Sequence, residues 1–178
     1  PYAPGGTTDF SARIVAERLS QQTGKSFFVE NKAGASGTIG TQQVAKSAPD
    51  GTTFLVNDTT YAMLPSLFAK LPWDHASDLV PVTPLSVTPV VLVVAANSPF
   101  KTAQELMDFA RKNPGKLNFG SGGNGSSTHL SAEVLKKEGK LFITHIPYKG
   151  AGDAMVGLLG NQVDLLITAA PTAVPQVQ

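Results

Sequence analysis

Short apolar runs of strand length alternate with segments of helical period along almost the whole chain. That alternation is what βαβ units and a largely parallel sheet with helices on its faces require. Helices are expected at 8–22, where Phe10, Ile14, Val15 and Leu19 share one face, and at 38–47, 61–70, 102–112, 127–138 and 152–159. Gly24 is placed to end the first helix. Pro65 predicts a break in the third helix, or a later start to it. Thr102 is a candidate N-cap, with Glu105 three residues on to complete a capping box. Strands are expected at 26–30, 53–56, 90–96, 117–120, 143–147 and 163–168. The run 90–96 is dense enough in valine to predict burial on both faces.

Between Leu71 and Pro89 the chain is irregular and rich in proline. This is a candidate seam, and it predicts two α/β lobes, 1–97 and 98–178, each within the usual domain range. Both ends look cut. The chain opens Pro1-Tyr2-Ala3-Pro4-Gly5-Gly6, a loop of the kind that follows a strand, without an initiator methionine or a signal peptide. It closes as Pro171-Thr172-Ala173-Val174 begins a helix. A fragment of a longer protein is expected, and the lack of a leader carries no weight.

Composition narrows the function. The 178 residues are 42% apolar and 15% charged, so a packed core is expected rather than disorder. The net charge of +1 gives no basic stripe for nucleic acid. No apolar run is long enough to cross a membrane as a helix. The absence of cysteine excludes disulfides, thiol nucleophiles and thiolate metal sites. Nothing indicates oligomerisation, so a monomer is expected.

The 17 glycines matter through their placement. Four loops combine glycine, asparagine or aspartate with small hydroxyl side chains, each just before a helix. They are Pro4-Gly5-Gly6-Thr7-Thr8-Asp9, Gly34-Ala35-Ser36-Gly37-Thr38, Asn57-Asp58-Thr59-Thr60, and the run from Gly120 to Thr128 through Ser121, Gly122, Gly123, Asn124, Gly125, Ser126 and Ser127. Glycine lets backbone approach a ligand closely, and a helix N-terminus offers unpaired N–H groups with a partial positive charge. Such a loop holds an anion without Arg or Lys. In open α/β sheets these loops lie at the carboxyl ends of strands, where ligands bind. Any one loop reads as a cap and tight turn; four in this length make capping a less sufficient account.

Other motifs are weaker. Gly120-x-Gly122-x-x-Gly125 matches a dinucleotide fingerprint, but the next strand carries no terminal acidic residue, so a nucleotide-dependent α/β enzyme is only an alternative reading. Gly24-Lys25-Ser26 lacks the first glycine of a P-loop. His75, His129 and His145 show no metal-ligand spacing, and no metal site is expected. There is no GxSxG elbow for Ser–His–acid catalysis and no convergent carboxylate pair for acid–base work. Asp9 is the best acidic candidate, although it also suits the first turn of a helix.

An ordered set of segments is more specific than any of these motifs. It comprises Pro1 through Asp9; Glu30-Asn31-Lys32-Ala33-Gly34-Ala35-Ser36-Gly37-Thr38-Ile39-Gly40; Leu71-Pro72-Trp73-Asp74 with Asp78-Leu79; and Asn113-Pro114-Gly115-Lys116-Leu117. It continues with Gly120 to Ser127, His129-Leu130 and Glu133, and ends with His145-Ile146-Pro147-Tyr148-Lys149-Gly150. In order and spacing the chain resembles the substrate-binding proteins of tripartite tricarboxylate transporters, the Bug family of periplasmic solute receptors.

The resemblance implies a two-lobed, periplasmic-binding-protein-like (type II) α/β fold, incomplete at both ends here. The lobes would close on a small organic carboxylate and deliver it to membrane permease subunits. It implies a periplasmic location after removal of a signal peptide, no catalysis and no cofactor. A carboxylate sensor serving a signalling partner is a further alternative. The resemblance also implies ligand contacts. In the first loop these are Tyr2, Pro4, Gly5, Gly6, Thr7, Thr8 and Asp9. Ser36 and Thr38 follow in the second, and Thr59, Thr60 and Tyr61 in the third. The other lobe would add Ser126, Ser127, Thr128 and His129, then Gly150 and Ala151, then Ala170 and Thr172. Family members often carry histidine where this chain has Tyr61, which bears on ligand shape.

Overall fold

A computed structural model describes residues 1–177. Its helices are α1 (Thr7–Thr23), α2 (Thr38–Ala45), α3 (Thr60–Leu67), α4 (Ala103–Lys112), α5 (Ser127–Gly139), α6 (Ala151–Leu159) and α7 (Ala170–Ala173). Its strands are β1 (Val90–Val93), β2 (Asn118–Ser121), β3 (Thr144–Pro147) and β4 (Leu165–Ala169). The strands form one sheet in the order β1-β4-β2-β3. β2 runs parallel to β3 and β4, with Phe119 opposite both His145 and Leu165. β1 runs antiparallel to β4 at the edge.

The two-residue period of β4 divides the core. Leu165 and Ile167 face one layer with Phe119, Leu106 and Ala110 of α4, and Ala132 of α5. Leu166 faces the other with Ala154, Met155 and Leu158 of α6 and Ala173 of α7. Phe119, Leu165 and Leu166 are each at most 1% exposed. Burying each such side chain stabilises the fold by roughly 1.5–3 kcal/mol. The resulting helix–sheet–helix sandwich sends the chain from the carboxyl end of β2 through the 122–126 loop into α5, and from that of β4 directly into α7.

Several local expectations hold. Gly24 ends α1 in the left-handed region at φ 68. The Thr102 hydroxyl accepts the Glu105 N–H at 3.2 Å. The Glu105 carboxylate accepts from the N–H of Lys101 at 2.7 Å, one residue before the cap, rather than from Thr102 itself.

Four expectations are corrected. Residues 26–30 and 53–56 are not strands: they are extended but join no ladder among the described residues, leaving Phe28 84% and Phe54 52% exposed. A strand is stabilised by its neighbour, and no described segment pairs with either one. The run from Val90 is not buried on both faces. It is an edge strand that ends at Val93, with Val90 53% exposed. The alternation of parallel strands therefore describes the second half of the chain and not the first. Finally, α3 neither breaks at Pro65 nor starts after it. It begins at Thr60 because the Asp58 carboxylate accepts the Thr60 N–H at 2.8 Å and Leu64, 1% exposed, anchors it.

Residues 71–89 carry no helix or strand. β1 lies before Asn97 in sequence, yet it pairs with β4.

Candidate functional site

The starts of α1, α2, α3, α5, α6 and α7 gather along one seam. The Ser127 N–H at the head of α5 donates to the Thr60 hydroxyl at 3.0 Å. The Thr7 N–H at the head of α1 donates to the Thr172 hydroxyl of α7 at 3.1 Å, and the two threonine hydroxyls lie 2.9 Å apart. The Ser36 hydroxyl donates to the Asn124 carbonyl. The Ala3 N–H donates to the Lys149 carbonyl at 3.2 Å. Loops far apart in sequence thus meet through small donors and acceptors.

Glycine makes the approach possible. A Cβ on Gly152 would overlap the Pro4 carbonyl oxygen and press on Gly5 C and Gly6 N, each at 3.1 Å. A Cβ on Gly122 would meet the Ala151 nitrogen at 3.4 Å.

A cleft of about 200 Å³ opens along this seam. Tyr2 and residues 34–37 line one side; residues 122–124 and 147–149 line the other. Pockets for drug-sized ligands run to roughly 300–1,000 Å³, so this one suits a small molecule. Lys149 is the only charged residue among those lining it. Helix N-termini and loop amides add positive potential without further cations.

The 121–126 loop is braced from within. Gly122 N–H donates to Thr128 Oγ1 at 2.9 Å, Gly123 N–H to Ser121 Oγ at 3.1 Å, and Gly125 N–H to His129 Nδ1 at 2.9 Å. Ser126 caps α5 by accepting the His129 N–H at 3.2 Å, and its hydroxyl lies 3.1 Å from Thr128 Oγ1. Ser126 and Thr128 are 4% and 9% exposed. Both hydroxyls therefore shape the loop. Ser127 is half-buried.

Asp9 braces the first loop. Its carboxylate accepts from Gly5 N–H at 3.0 Å, Arg13 Nε at 3.0 Å and Asn31 Nδ2 at 2.9 Å, and pairs with Arg13 Nη2 at 2.9 Å. Burial pushes its pKa up, but the hydrogen bonds from Arg13, Gly5 and Asn31 outweigh this and hold it below the usual value. Asn31 Nδ2 also donates to the Tyr2 carbonyl at 3.1 Å.

The remaining named residues divide as follows. Thr38 bonds the Ala35 carbonyl at 2.9 Å. The Tyr2 hydroxyl donates to Asp58 Oδ1 at 3.0 Å, and burial together with the Asp58 charge raises its pKa strongly. Thr59 is exposed, whereas Thr60 is fully buried. Pro4 and Gly5 are exposed at the loop tip, while Thr8, Ala151 and Ala170 are half-buried at the heads of α1, α6 and α7. Gly150 is buried against Ala3. Of the expected contacts, Tyr2 and Ser36 line the cleft; Tyr61 and the others lie outside its lining. The Tyr61 ring stacks on His75 at 4.3 Å and lies 6.5 Å from Trp73.

Sequence reasoning missed Asn31, Asp58 and His145. Asn31 and Asp58 stood inside quoted segments, but their side chains act on loops 29 and 56 residues away, which no local pattern encodes.

Among the described residues no helix is long and apolar enough to cross a membrane. The family model described as "Tripartite tricarboxylate transporter family receptor" matches residues 11–178. A UPF0065 protein of Pseudomonas sp. (strain P51) is 38% identical over 167 residues, 94% of this chain and 50% of that protein. The chain spans about half the length of the curated relatives it matches. Among solved structures, the periplasmic binding protein BugD aligns with a TM-score of 0.94 at 34% identity, over 99% of this chain and 59% of that one. An R. palustris protein with adipate aligns at 0.93 and 35% identity, over 98% and 59%. MatC from Rhodopseudomonas palustris with bound malate aligns at 0.88 and 33%, over 98% and 60%. The fold is that of periplasmic binding proteins, and the chain belongs to the tripartite tricarboxylate transporter receptor family.

Proposed function

We propose that this chain is the ligand-capturing portion of a periplasmic receptor that takes up a small organic carboxylate and hands it to the permease subunits of a tripartite transporter. The observation that carries this reading is the meeting of helix N-termini from both halves of the chain along one seam, with a small, nearly uncharged cleft between the 34–37 and 122–124 loops on it. Amides and hydroxyls in that setting stabilise a carboxylate. They also let it go, because no buried arginine pair must be left uncompensated on release. Adipate and malate in two structural neighbours support a dicarboxylate as the ligand class.

In this reading the two halves of the chain belong to two lobes that close on the ligand, with β1, although it precedes Asn97, carried by the sheet of the second. Thr7, Thr8, Ser36 and the Gly6 amide hold one end. Ser127, the 122–124 backbone and the heads of α6 and α7 hold the other. Closure excludes water and strengthens each hydrogen bond. A hinge motion coupled to ligand follows from the better binding of the closed state. The receptor acts as a monomer and is exported behind a signal peptide.

The test is thermal unfolding of the full-length receptor against a panel of di- and tricarboxylates and aromatic acids. At least one acid should raise Tm progressively with concentration, with about 2.7 kcal/mol of added stability at a hundred times Kd. A panel without any shift overturns the proposal.

A further inference from the structure

Behind the 121–126 loop, on the α5 side of the sheet, two histidines lie face to face. The rings of His129 and His145 stack at 3.9 Å with 13° between planes, and Phe119 stacks on His145 at 4.7 Å. Each imidazole ends in a bond to the loop. His129 Nδ1 accepts the Gly125 N–H. His145 Nε2 lies 2.6 Å from Ser121 Oγ, which in turn accepts the Gly123 N–H. The first bond fixes a tautomer: Nδ1 is bare, so neutral His129 carries its proton on Nε2.

We propose that His129 and His145 are positioning residues for carboxylate capture: as a neutral stacked pair they hold the 121–126 loop in its binding shape, and protonation in mildly acidic medium releases it. This rests on the receptor reading above. A proton on His129 Nδ1 removes the acceptor for Gly125 N–H and sets two donors against each other. A proton on each ring sets two cations 3.9 Å apart. The charged groups facing the pair among the described residues are Glu133 and Lys136, both from α5. Glu133 lies 3.6 Å from His129 Nε2 but only 2.7 Å from Lys136 Nζ, so its charge is already shared. β2 contributes Phe119 and Ser121, neither of which titrates in this range. Burial holds both imidazoles below their ordinary value, and His145, beside His129, falls to about 4.

The experiment compares full-length wild type, His129→Asn and His129→Leu, using adipate and malate as probes from about pH 8 down to about pH 5. The asparagine carbonyl keeps an uncharged acceptor where Nδ1 stood; leucine does not. Affinity of the wild type should fall about tenfold on acidification. His129→Leu should bind about tenfold more weakly at neutral pH, the worth of one lost hydrogen bond in a buried loop. His129→Asn should bind nearly as wild type at neutral pH and fall less in acid. Titration of the ligand itself is common to all three and cancels in the ratios. Wild-type affinity and pH profile in His129→Leu, or no rescue in His129→Asn, overturns the proposal. Amide exchange at Gly125 is read in parallel and needs no ligand. Corrected for the intrinsic slowing of exchange in acid, protection of this amide should fall in His129→Leu and in wild-type acid. If neither probe binds any variant, the receptor reading loses its support while exchange still decides the positioning role, and unchanged protection overturns it.

Discussion

The Ser127 N–H and the Thr60 hydroxyl meet at 3.0 Å although 67 residues separate them, joining the head of α5 to the head of α3. Thr60 is wholly buried. Thr60→Val keeps the shape and leaves a helix-end amide unpaired. It should destabilise the full-length receptor by about 1–3 kcal/mol and weaken adipate binding. The midpoint of urea unfolding reads the first effect and calorimetric titration the second. An unchanged midpoint shows that this bond does not hold the two segments together.

Asp9 binds its neighbours only as a carboxylate, so its contribution depends on pH. Its folded pKa lies below the ordinary value of 3.8. The folded state therefore binds fewer protons than the unfolded chain in that range. The stabilisation is complete above about pH 4 and disappears as pH falls toward the folded pKa. Asp9→Asn should be less stable than wild type at neutral pH, and the gap should shrink as pH falls below 4. Paired denaturation curves across that range check this; a gap that does not change with pH contradicts it.

Gly152 offers a steric test of the seam. Alanine is a better helix former than glycine, so inside α6 alone the change would favour the helix. Here the added methyl overlaps the Pro4 carbonyl, a backbone atom that cannot swing aside. Gly152→Ala should therefore cost about 1–3 kcal/mol and push the 4–6 loop away from the head of α6. Calorimetric Tm together with adipate affinity reads both effects. A variant as stable as wild type, or more so, means the two loops are not packed as described.

The second half of the fold was legible because its signals are local. Thr102 capped a helix whose apolar face recurs at 3.6, and Leu165 to Ile167 formed a buried run that pairs with strands before it in the chain. The first half was not. Residues 26–30 and 53–56 have strand composition, but a strand needs a partner, and no described segment supplies one. The glycine loops were located from sequence, yet the work of their side chains was not. Ser126 and Thr128 look like ligand donors in a hydroxyl-rich loop, and in the fold their hydroxyls brace Gly122 and His129. Asp58 and Asn31 act across loops, where only three-dimensional proximity reveals them.

Lys149 separates the electrostatic part of capture from the hydrogen-bonding part. It is exposed, it lines the cleft, and its carbonyl rather than its ammonium bonds to Ala3. Removing an exposed charge leaves the core untouched, so Lys149→Gln should melt with the wild type. Exposed charge contacts contribute about 0.2–1 kcal/mol and are screened by salt. Adipate affinity should therefore drop by a few-fold at low salt, and the difference from wild type should fade as salt is added. If the loss were tenfold or more and persisted in high salt, Lys149 would be a direct, desolvated partner of the carboxylate, and the amides and hydroxyls of the helix ends would hold a smaller share of the binding.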